Sequence, residues 1–229
     1  MTWLCRVLVI MTLVTPCLSY GFPTTGILDD FNRSNQDPIA GIWTQYPLGG
    51  SVGCRVSSNT AIKQAGTPGD GCYVTATFSQ QDQEAYATFP NATSHVEAGA
   101  ARLHICLEDV GTTGADGYNI KFAKDASTDI LTLERLSNGS NTQLGAVINQ
   151  EVDDDDKLGI ERKSDGTLHL WYDSGSGWTD LGNRSDSTYD CTDSNIGIGT
   201  TSTSFAFDDY GGGNTVIPST ANYGPIIFK

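Results

Sequence analysis

The chain has 229 residues, 26 of them glycine, and 27 Asp and Glu against 13 Lys and Arg give it a formal net charge of −14. This excess of negative charge argues against nucleic-acid backbones and anionic membrane surfaces as partners, because both are themselves polyanionic. The length suits a single all-β domain, and the charge suits an extracellular protein or one that holds calcium.

Residues 1–19 have the pattern of a cleavable signal peptide. Arg6 supplies an early positive charge, residues 7–14 form a short apolar core, and small residues precede a cut before Tyr20. The apolar core is shorter than the ~20 residues that a membrane-spanning helix needs. We therefore predict a secreted protein with no membrane span after cleavage; an uncleaved anchor and a lipidated Cys17 are the alternatives.

Residues 20–210 consist of short alternating segments separated by Gly, Ser, Thr, Asn and Asp, and helical periodicity is almost absent. This pattern predicts one β-sandwich or barrel. The predicted strands are 26–31, 72–78, 85–89, 101–107, 118–122, 130–136, 157–162, 168–172, 194–199 and 204–210. Asn-Gly at 138–139 and Asp-Gly at 165–166 indicate hairpin turns. Residues 211–229 are expected to form a Gly-rich tail or an edge strand.

Removal of residues 1–19 leaves four cysteines: Cys54, Cys72, Cys106 and Cys191. An even set in an exported chain predicts two disulfides, for which three connectivities are possible. Cys54 and Cys72 flank a stretch rich in Gly and Pro and could close it as a loop, which would leave Cys106 with Cys191. Buried free thiols are the alternative.

Several short motifs follow one another in a familiar order. Asp-Asp-Phe-Asn-Arg at 29–33 and Gly-Ile-Trp-Thr at 41–44 are followed by Gly-Tyr-Asn-Ile at 117–120 and the hairpin 157–168. The chain closes with Asp-Ser-Thr-Tyr at 186–189, Asn-Ile-Gly-Ile-Gly at 195–199 and Phe-Ala-Phe-Asp-Asp-Tyr at 205–210. Over about residues 27–210 this order resembles the concanavalin A-like lectin/glucanase superfamily of laminin-G-like jelly rolls. The resemblance implies an all-β, two-sheet antiparallel β-sandwich, but that superfamily includes lectins, adhesins, virion proteins and glycosidases, so it does not specify a function.

Some polar and aromatic side chains alternate away from the core positions of the predicted strands. Exposed aromatic rings in a groove stack on the C–H faces of sugars. We therefore predict a carbohydrate-binding groove that carries Tyr86, Arg102, His104, Asn119 and Trp171. The alternative is a mixed polar surface whose aromatic residues support strand pairing. Trp43 and Trp178 are expected at loop edges.

The resemblance also implies a structural Ca²⁺ between the first and last strands, with Asp30 and Asp208 as ligands and backbone carbonyls completing the shell. The alternative is that these aspartates cap turns.

N-glycosylation sequons at Asn32, Asn91, Asn138 and Asn183 all fall in predicted loops.

The acidic run 151–156 resembles the Glu-x-Asp-x-x-Glu strand of laminarinase-type glycosidases, but it lacks the final Glu. We therefore expect a solvated acidic loop.

The first functional hypothesis is a secreted, non-catalytic recognition or surface module that binds a glycan or polysaccharide. The second is a structural protein of a virion, extracellular filament or cell surface that contacts copies of itself. The third is a secreted glycosidase or polysaccharide lyase.

Overall fold

The structure is a computed structural model that describes residues 21–46, 53–64, 70–94, 99–110, 112, 114–125 and 127–216. Its strands are β1 (Ile27–Asp29), β2 (Trp43–Tyr46), β3 (Cys54–Ser57), β4 (Thr60–Lys63), β5 (Asp70–Val74), β6 (Gln83–Phe89), β7 (Ala100–Glu108), β8 (Asp116–Ala123), β9 (Ile130–Ser137), β10 (Ser140–Gln143), β11 (Ile148–Asn149), β12 (Asp156–Arg162), β13 (Thr167–Asp173), β14 (Thr179–Ser185), β15 (Asn195–Thr200) and β16 (Ala206–Asn214). One 3₁₀ turn spans Ala92–Ser94. The predicted signal peptide, residues 1–19, lies outside the described residues.

The strands form two antiparallel sheets. Sheet I has the order β14-β13-β12-β6-β16-β4-β3, and β1 also pairs with β16. Sheet II has the order β10-β9-β8-β7-β15-β5-β2, and β11 also pairs with β9. The predicted fold class, an all-β sandwich of two antiparallel sheets, is confirmed. In the described part of the chain, no helix has the length and apolar character needed to cross a membrane.

The core lies between the two sheets because apolar residues alternate along each strand. In β7, Ala101, Leu103 and Ile105 are fully buried, and in β12 Leu158 and Ile160 are fully buried on the facing sheet. The residues between them in sequence therefore point outward. This alternation assigns each outward side chain to one of two opposite faces of the molecule.

Trp43 is a core residue rather than the loop-edge residue expected from the sequence. It lies in β2, is 5 % exposed, and packs against Phe31 and Tyr210. Its Nε1–H donates to Asp29 Oδ2 at 2.7 Å. The buried carboxylate supplies the acceptor that an indole needs in an apolar core, and sequence spacing alone does not reveal such a partner.

Two disulfides join the cysteine pairs considered above. Cys54–Cys72 connects β3 of sheet I with β5 of sheet II, with Cα atoms 5.7 Å apart. Cys106–Cys191 connects β7 with the loop before β15, with Cα atoms 4.4 Å apart. The prediction of two disulfides is confirmed.

The Gly-rich segment after residue 210 is part of a central strand. The expected boundary at residue 210 falls inside β16, which continues to Asn214 and pairs with β6 through Gly211, Gly212 and Gly213. A Cβ on Gly211 would lie 2.2 Å from Tyr86 Cζ, so this strand can pass Tyr86 only as glycine. The composition suggested a flexible tail, but the glycines allow a close approach of the backbone. Residues 217–229 lie outside the described residues.

Candidate functional site

One continuous row of residues crosses the outer face of sheet II. We call it the polar row; in strand order it consists of Thr44, Tyr73, Gly197, His104, Asn119, Glu134 and Gln143, each directly opposite the next. The register places these residues side by side although they come from seven strands spread over residues 44–197. Sequence reasoning identified His104 and Asn119 but not Glu134 as part of one site.

An ion pair lies across the polar row. Arg102 is two residues before His104 in β7, on the same outer face, and its Nε–H donates to Glu134 Oε2 at 3.2 Å. The two side chains are 16 % and 9 % exposed, so the pair is held close to the sheet while still reaching solvent. A guanidinium and a carboxylate fixed in this way offer both donors and acceptors to a ligand.

His104 and Asn119 form the buried floor beside this pair. Burial, and secondarily the positive charge of Arg102, lower the pKa of His104 to about 3, so its imidazole is neutral at physiological pH. Asn119 is fully buried, and its Nδ2–H donates to Asn141 Oδ1 at 2.8 Å. Asn119 Oδ1 meets no hydrogen-bond donor in the described part of the chain. The floor is therefore polar but uncharged.

The part of β15 next to the polar row carries glycines in place of side chains. Gly197 and Gly199 present no side chains, and a Cβ on Gly197 would lie 2.4 Å from the carbonyl oxygen of Cys72 in β5. Close packing of the two strands thus excludes larger residues at Gly197. Tyr73, opposite Gly197, and Arg102, opposite Gly199, are both partly exposed on either side of β15.

Tyr86 and Trp171 lie on the opposite face of the molecule, on sheet I. They are both opposite Gly159, which has no side chain to separate them. With Trp178 they surround that glycine, and we call Tyr86, Gly159, Trp171 and Trp178 the aromatic cradle. Trp178 was expected at a loop edge, and its position in the cradle was not foreseen.

Phe22 fills the aromatic cradle. Its ring stacks on Trp171 at a centroid distance of 4.9 Å and an interplanar angle of 2°, and meets Trp178 edge-on at 4.8 Å. A Cβ on Gly159 would lie 2.4 Å from Phe22 Cζ, so the ring rests directly on the backbone of β12. Only 7 % of Phe22 is exposed.

Residues 21–25, which we call the N-terminal strap, are held over sheet I by polar contacts as well. Glu84 Oε1 accepts hydrogen bonds from Thr24 N at 2.8 Å, Thr25 N at 2.7 Å and Thr25 Oγ1 at 2.6 Å. Tyr86 OH donates to the carbonyl of Thr25 at 3.0 Å. The strap therefore covers the face on which the sequence predicted an exposed platform.

The prediction of one groove containing Tyr86, His104 and Trp171 is wrong. Tyr86 and Trp171 are on the outer face of sheet I, whereas Arg102, His104 and Asn119 are on the outer face of sheet II. Alternation along a strand shows that a residue points outward, but it does not show which sheet the strand joins. Phe22 and Glu84 were missed because their role depends on contacts about 60 residues apart in sequence.

The predicted calcium ligands lie near one another where β1 pairs with β16. Burial, and then the negative charges of Asp209, Asp30 and Asp155, raise the pKa of Asp208 above its ordinary value. Asp30 Oδ1 accepts the amide of Asn32 at 3.1 Å, and Asp208 Oδ1 accepts that of Asp209 at 2.8 Å. Among the described residues, no group of three or more His, Cys, Asp and Glu side chains is arranged to hold a metal ion.

Asp29, next to Asp30, is engaged in the core contacts instead. Burial acts to raise its pKa, but hydrogen bonds from Arg33 and Trp43 outweigh burial and hold the pKa below its ordinary value. Asp29 therefore fixes the opening turn and is not available as a ligand.

Residues 151–155 of the acidic run lie in the loop before β12, as expected, whereas Asp156 belongs to the strand. Glu151 and residues 153–155 are exposed, and Asp156, the first residue of β12, accepts a hydrogen bond from Tyr172 OH at 2.6 Å. The run does not form a strand that aims alternate carboxylates into a cleft.

The sequons fall into two groups. Asn32 and Asn138 are exposed in turns, and Asn183 is exposed but lies in β14 rather than in a loop. Asn91 is partly buried, and its Nδ2–H donates to the carbonyl of Ser204 at 2.8 Å. A glycan at Asn91 would be linked through the same nitrogen, so it would have to fit beside Ser204.

Neither a protein-family model nor a curated protein matches the sequence. Solved structures do match in fold. The potassium-bound carbohydrate recognition domain of Emp46p superposes with a TM-score of 0.61 and 12 % identity, over 84 % of this chain and 97 % of that chain. The exoplasmic/lumenal domain of VIP36 with Ca²⁺ and mannose bound gives a TM-score of 0.55 and 10 % identity, over 79 % and 86 % of the two chains.

A legume lectin-like domain from Entamoeba histolytica also matches, with a TM-score of 0.53 and 12 % identity over 76 % of this chain and 90 % of that chain. At these identities the similarity establishes the fold alone. The chain has a legume-lectin-like fold, which is the kind of two-sheet sandwich that its motif order predicted.

Proposed function

We propose that this chain is a secreted, non-catalytic carbohydrate-binding module and that its glycan lies along the polar row of sheet II. The observation that carries the proposal is the Arg102–Glu134 pair, held at 3.2 Å over the floor formed by His104 and Asn119. Sugar hydroxyls both donate and accept hydrogen bonds, so a paired guanidinium and carboxylate match them. The shared fold with carbohydrate recognition domains supports the same ligand class.

The residues on either side of β15 could contact such a ligand. Gly197 and Gly199 add no side chains between the neighbouring strands, and the partly exposed Tyr73 provides an aromatic ring directly opposite Gly197. A saccharide lying over β15 would place its hydroxyls toward Arg102 and an apolar C–H face toward Tyr73. Because His104 is neutral, the site does not depend on an anionic sugar.

Two observations support secretion and the absence of catalysis. Both disulfides are formed, which suits an oxidising compartment and the signal peptide predicted for residues 1–19. Most of the densest run of carboxylates, Glu151 and residues 153–155, is exposed in the loop before β12 rather than in a cleft. Glycoside hydrolysis needs two carboxyl groups that face each other across the scissile bond.

The decisive experiment is glycan binding by the secreted protein and its Arg102→Ala variant. A glycan array that includes mannose oligosaccharides and β-glucans selects the probe, and titration calorimetry measures its affinity. We expect Arg102→Ala to weaken binding about 10- to 100-fold, because a hydrogen bond to a charged group contributes about 1.5–3 kcal/mol. Arg55→Ala is the matched control, since Arg55 is a partly exposed arginine of β3 in sheet I.

Two results would contradict the proposal: no binding to any glycan of the array, or equal affinity of the parent protein and Arg102→Ala. Release of reducing sugar from the bound glycan would favour the hydrolase hypothesis instead.

A structural Ca²⁺ at Asp30 and Asp208 belongs to the same proposal. It is supported by the pKa of Asp208, which burial and then repulsion from Asp209, Asp30 and Asp155 raise above its ordinary value. A hard cation would relieve this repulsion, with backbone carbonyls and water completing its shell. The melting temperature should then rise with free Ca²⁺ in the parent protein and not in Asp208→Asn. Asp165→Asn, at an exposed turn, is the control. If the melting temperature of the parent protein does not change with Ca²⁺, the proposed calcium site is refuted.

A further inference from the structure

The aromatic cradle on sheet I has the shape of a sugar-stacking site. Phe22 lies parallel to Trp171 at 4.9 Å, with Tyr86 and Trp178 meeting the same ring from the sides. A pyranose ring stacks on an indole in a similar parallel arrangement and occupies a comparable area. Gly159 leaves the floor of the cradle flat.

Carboxylates lie beside the cradle in the next row of sheet I. Glu84 of β6 is directly opposite Glu161 of β12, and both are buried. Like charges in directly opposite positions destabilise a sheet, and here Lys163 offsets part of the charge by pairing with Glu161. Glu161 Oε2 accepts a hydrogen bond from Trp171 Nε1 at 3.3 Å, which connects the pair to the cradle.

Glu84 has an unused acceptor at this position. Its Oε1 accepts three hydrogen bonds from the N-terminal strap, whereas Oε2 is buried and has no hydrogen-bond partner in the described part of the chain. A buried carboxylate oxygen without a donor is costly. Sugar hydroxyls are donors, and displacement of the strap would leave both oxygens of Glu84 available to them.

We propose that the aromatic cradle, with Glu84 and Glu161, is a second carbohydrate subsite, and that the N-terminal strap closes it by inserting Phe22 in place of a sugar ring. The ligand class rests on the proposed function, but the location does not, because the cradle and the polar row are on opposite faces. The strap occupies the cradle through the Phe22 ring and a few hydrogen bonds. Because a sugar ring would need the same space, the strap and the sugar compete for the cradle. The sugar can bind only to molecules in which the strap is displaced. The apparent association constant is therefore the intrinsic association constant multiplied by the fraction of such molecules.

The test uses the secreted protein and its Phe22→Ala variant, with cellohexaose, laminarihexaose and a mannose oligosaccharide as probes and titration calorimetry as the readout. We expect one of these probes to bind Phe22→Ala at least about tenfold more tightly than the parent protein at this site. The gain should disappear in Phe22→Ala/Trp171→Ala and persist in Phe22→Ala/Arg102→Ala. Ile27→Ala, at an exposed residue of β1, is the control and should leave affinity unchanged.

A peptide provides an independent measurement. Tyr-Gly-Phe-Pro-Thr-Thr, the sequence of residues 20–25, should compete with the probe in Phe22→Ala, and Tyr-Gly-Ala-Pro-Thr-Thr should not. If Phe22→Ala does not fold, Phe22→Leu should show a smaller gain of the same kind, because leucine fills less of the cradle.

The proposal is overturned if the folded variant binds none of the probes, or if its gain is lost with Arg102→Ala and kept with Trp171→Ala. Failure of the proposed function has a different result: the parent protein would bind no glycan through Arg102, while Phe22→Ala would still bind through Trp171.

Discussion

The two outer faces of the sandwich are built by the same alternation of residues but differ in chemistry. On sheet II, Arg102 and Glu134 form an ion pair near the surface, with His104 and Asn119 beneath. On sheet I, aromatic rings gather around Gly159, and Phe22 covers them. The comparison teaches that an outward position is not the same as an exposed one, because a distant segment of the chain can occupy the surface.

The comparison predicts that the two faces contribute differently to stability. Trp171→Ala removes the ring on which Phe22 stacks and should lower the free energy of unfolding by about 3 kcal/mol. Arg102→Ala breaks a partly exposed ion pair and should cost about 1 kcal/mol or less. Denaturant unfolding of both variants measures the difference, and equal losses would mean that the cover on sheet I is not stabilising.

A smaller and more local change should displace the strap. Gly159→Ala adds a Cβ that would lie only 2.4 Å from Phe22 Cζ, so the Phe22 ring must move. We expect a loss of about 2 kcal/mol, typical of overpacking, with faster hydrogen exchange of the Thr24 and Thr25 amides. Gly175→Ala is a glycine control whose Cβ would meet no atom within 4 Å, although its φ of 89° adds backbone strain. Unchanged exchange at both amides in Gly159→Ala would contradict the role given to Phe22.

The smallest expected effect concerns sheet II and its dependence on pH. Because the folded-state pKa of His104 is about 3, below its ordinary value of 6.5, the unfolded chain binds a proton that the folded chain does not. Stability from this residue is therefore complete above about pH 6.5 and is lost as the pH falls toward 3. Between pH 7 and pH 5 we expect a loss of about 1–2 kcal/mol, at 1.36 kcal/mol for each pKa unit.

In His104→Gln, the free energy of unfolding should change less between pH 7 and pH 5 than in the parent protein. His169→Gln is the matched control, since His169 pairs with Asp180 on the surface of sheet I. Curves of the parent protein and His104→Gln that remain parallel between pH 7 and pH 5 would show that His104 is not protonated on unfolding.

Much of the fold could be predicted because its signals are local. The Asn138-Gly139 step forms the turn between β9 and β10, with φ of 48° and 75° as such a turn requires. The alternation of Ala101, Leu103 and Ile105 assigned the inner face of β7 correctly. Strand β10 was missed because all its residues are exposed, so they show no alternation.

The arrangement of the two sites depends on pairing between strands that are distant in sequence. Local sequence patterns do not show which strands pair. Trp171 and Tyr86 are 85 residues apart and meet only because β12 pairs with both β6 and β13. Phe22 lies just after the predicted cleavage site before Tyr20, and nothing in its neighbours indicates a cradle in sheet I. Outward residues could be predicted, but their grouping into faces could not.

The N-terminal strap has a further consequence for the topology of the domain. Val216 N donates to Thr24 Oγ1 at 2.9 Å, so the chain enters and leaves the sandwich at nearly the same point. Domains with adjacent ends tolerate insertion into a loop of another protein and circular permutation. A permuted chain with residue 216 linked to residue 21, and new ends in the exposed turn 174–177, would keep both sheets and the covered cradle intact.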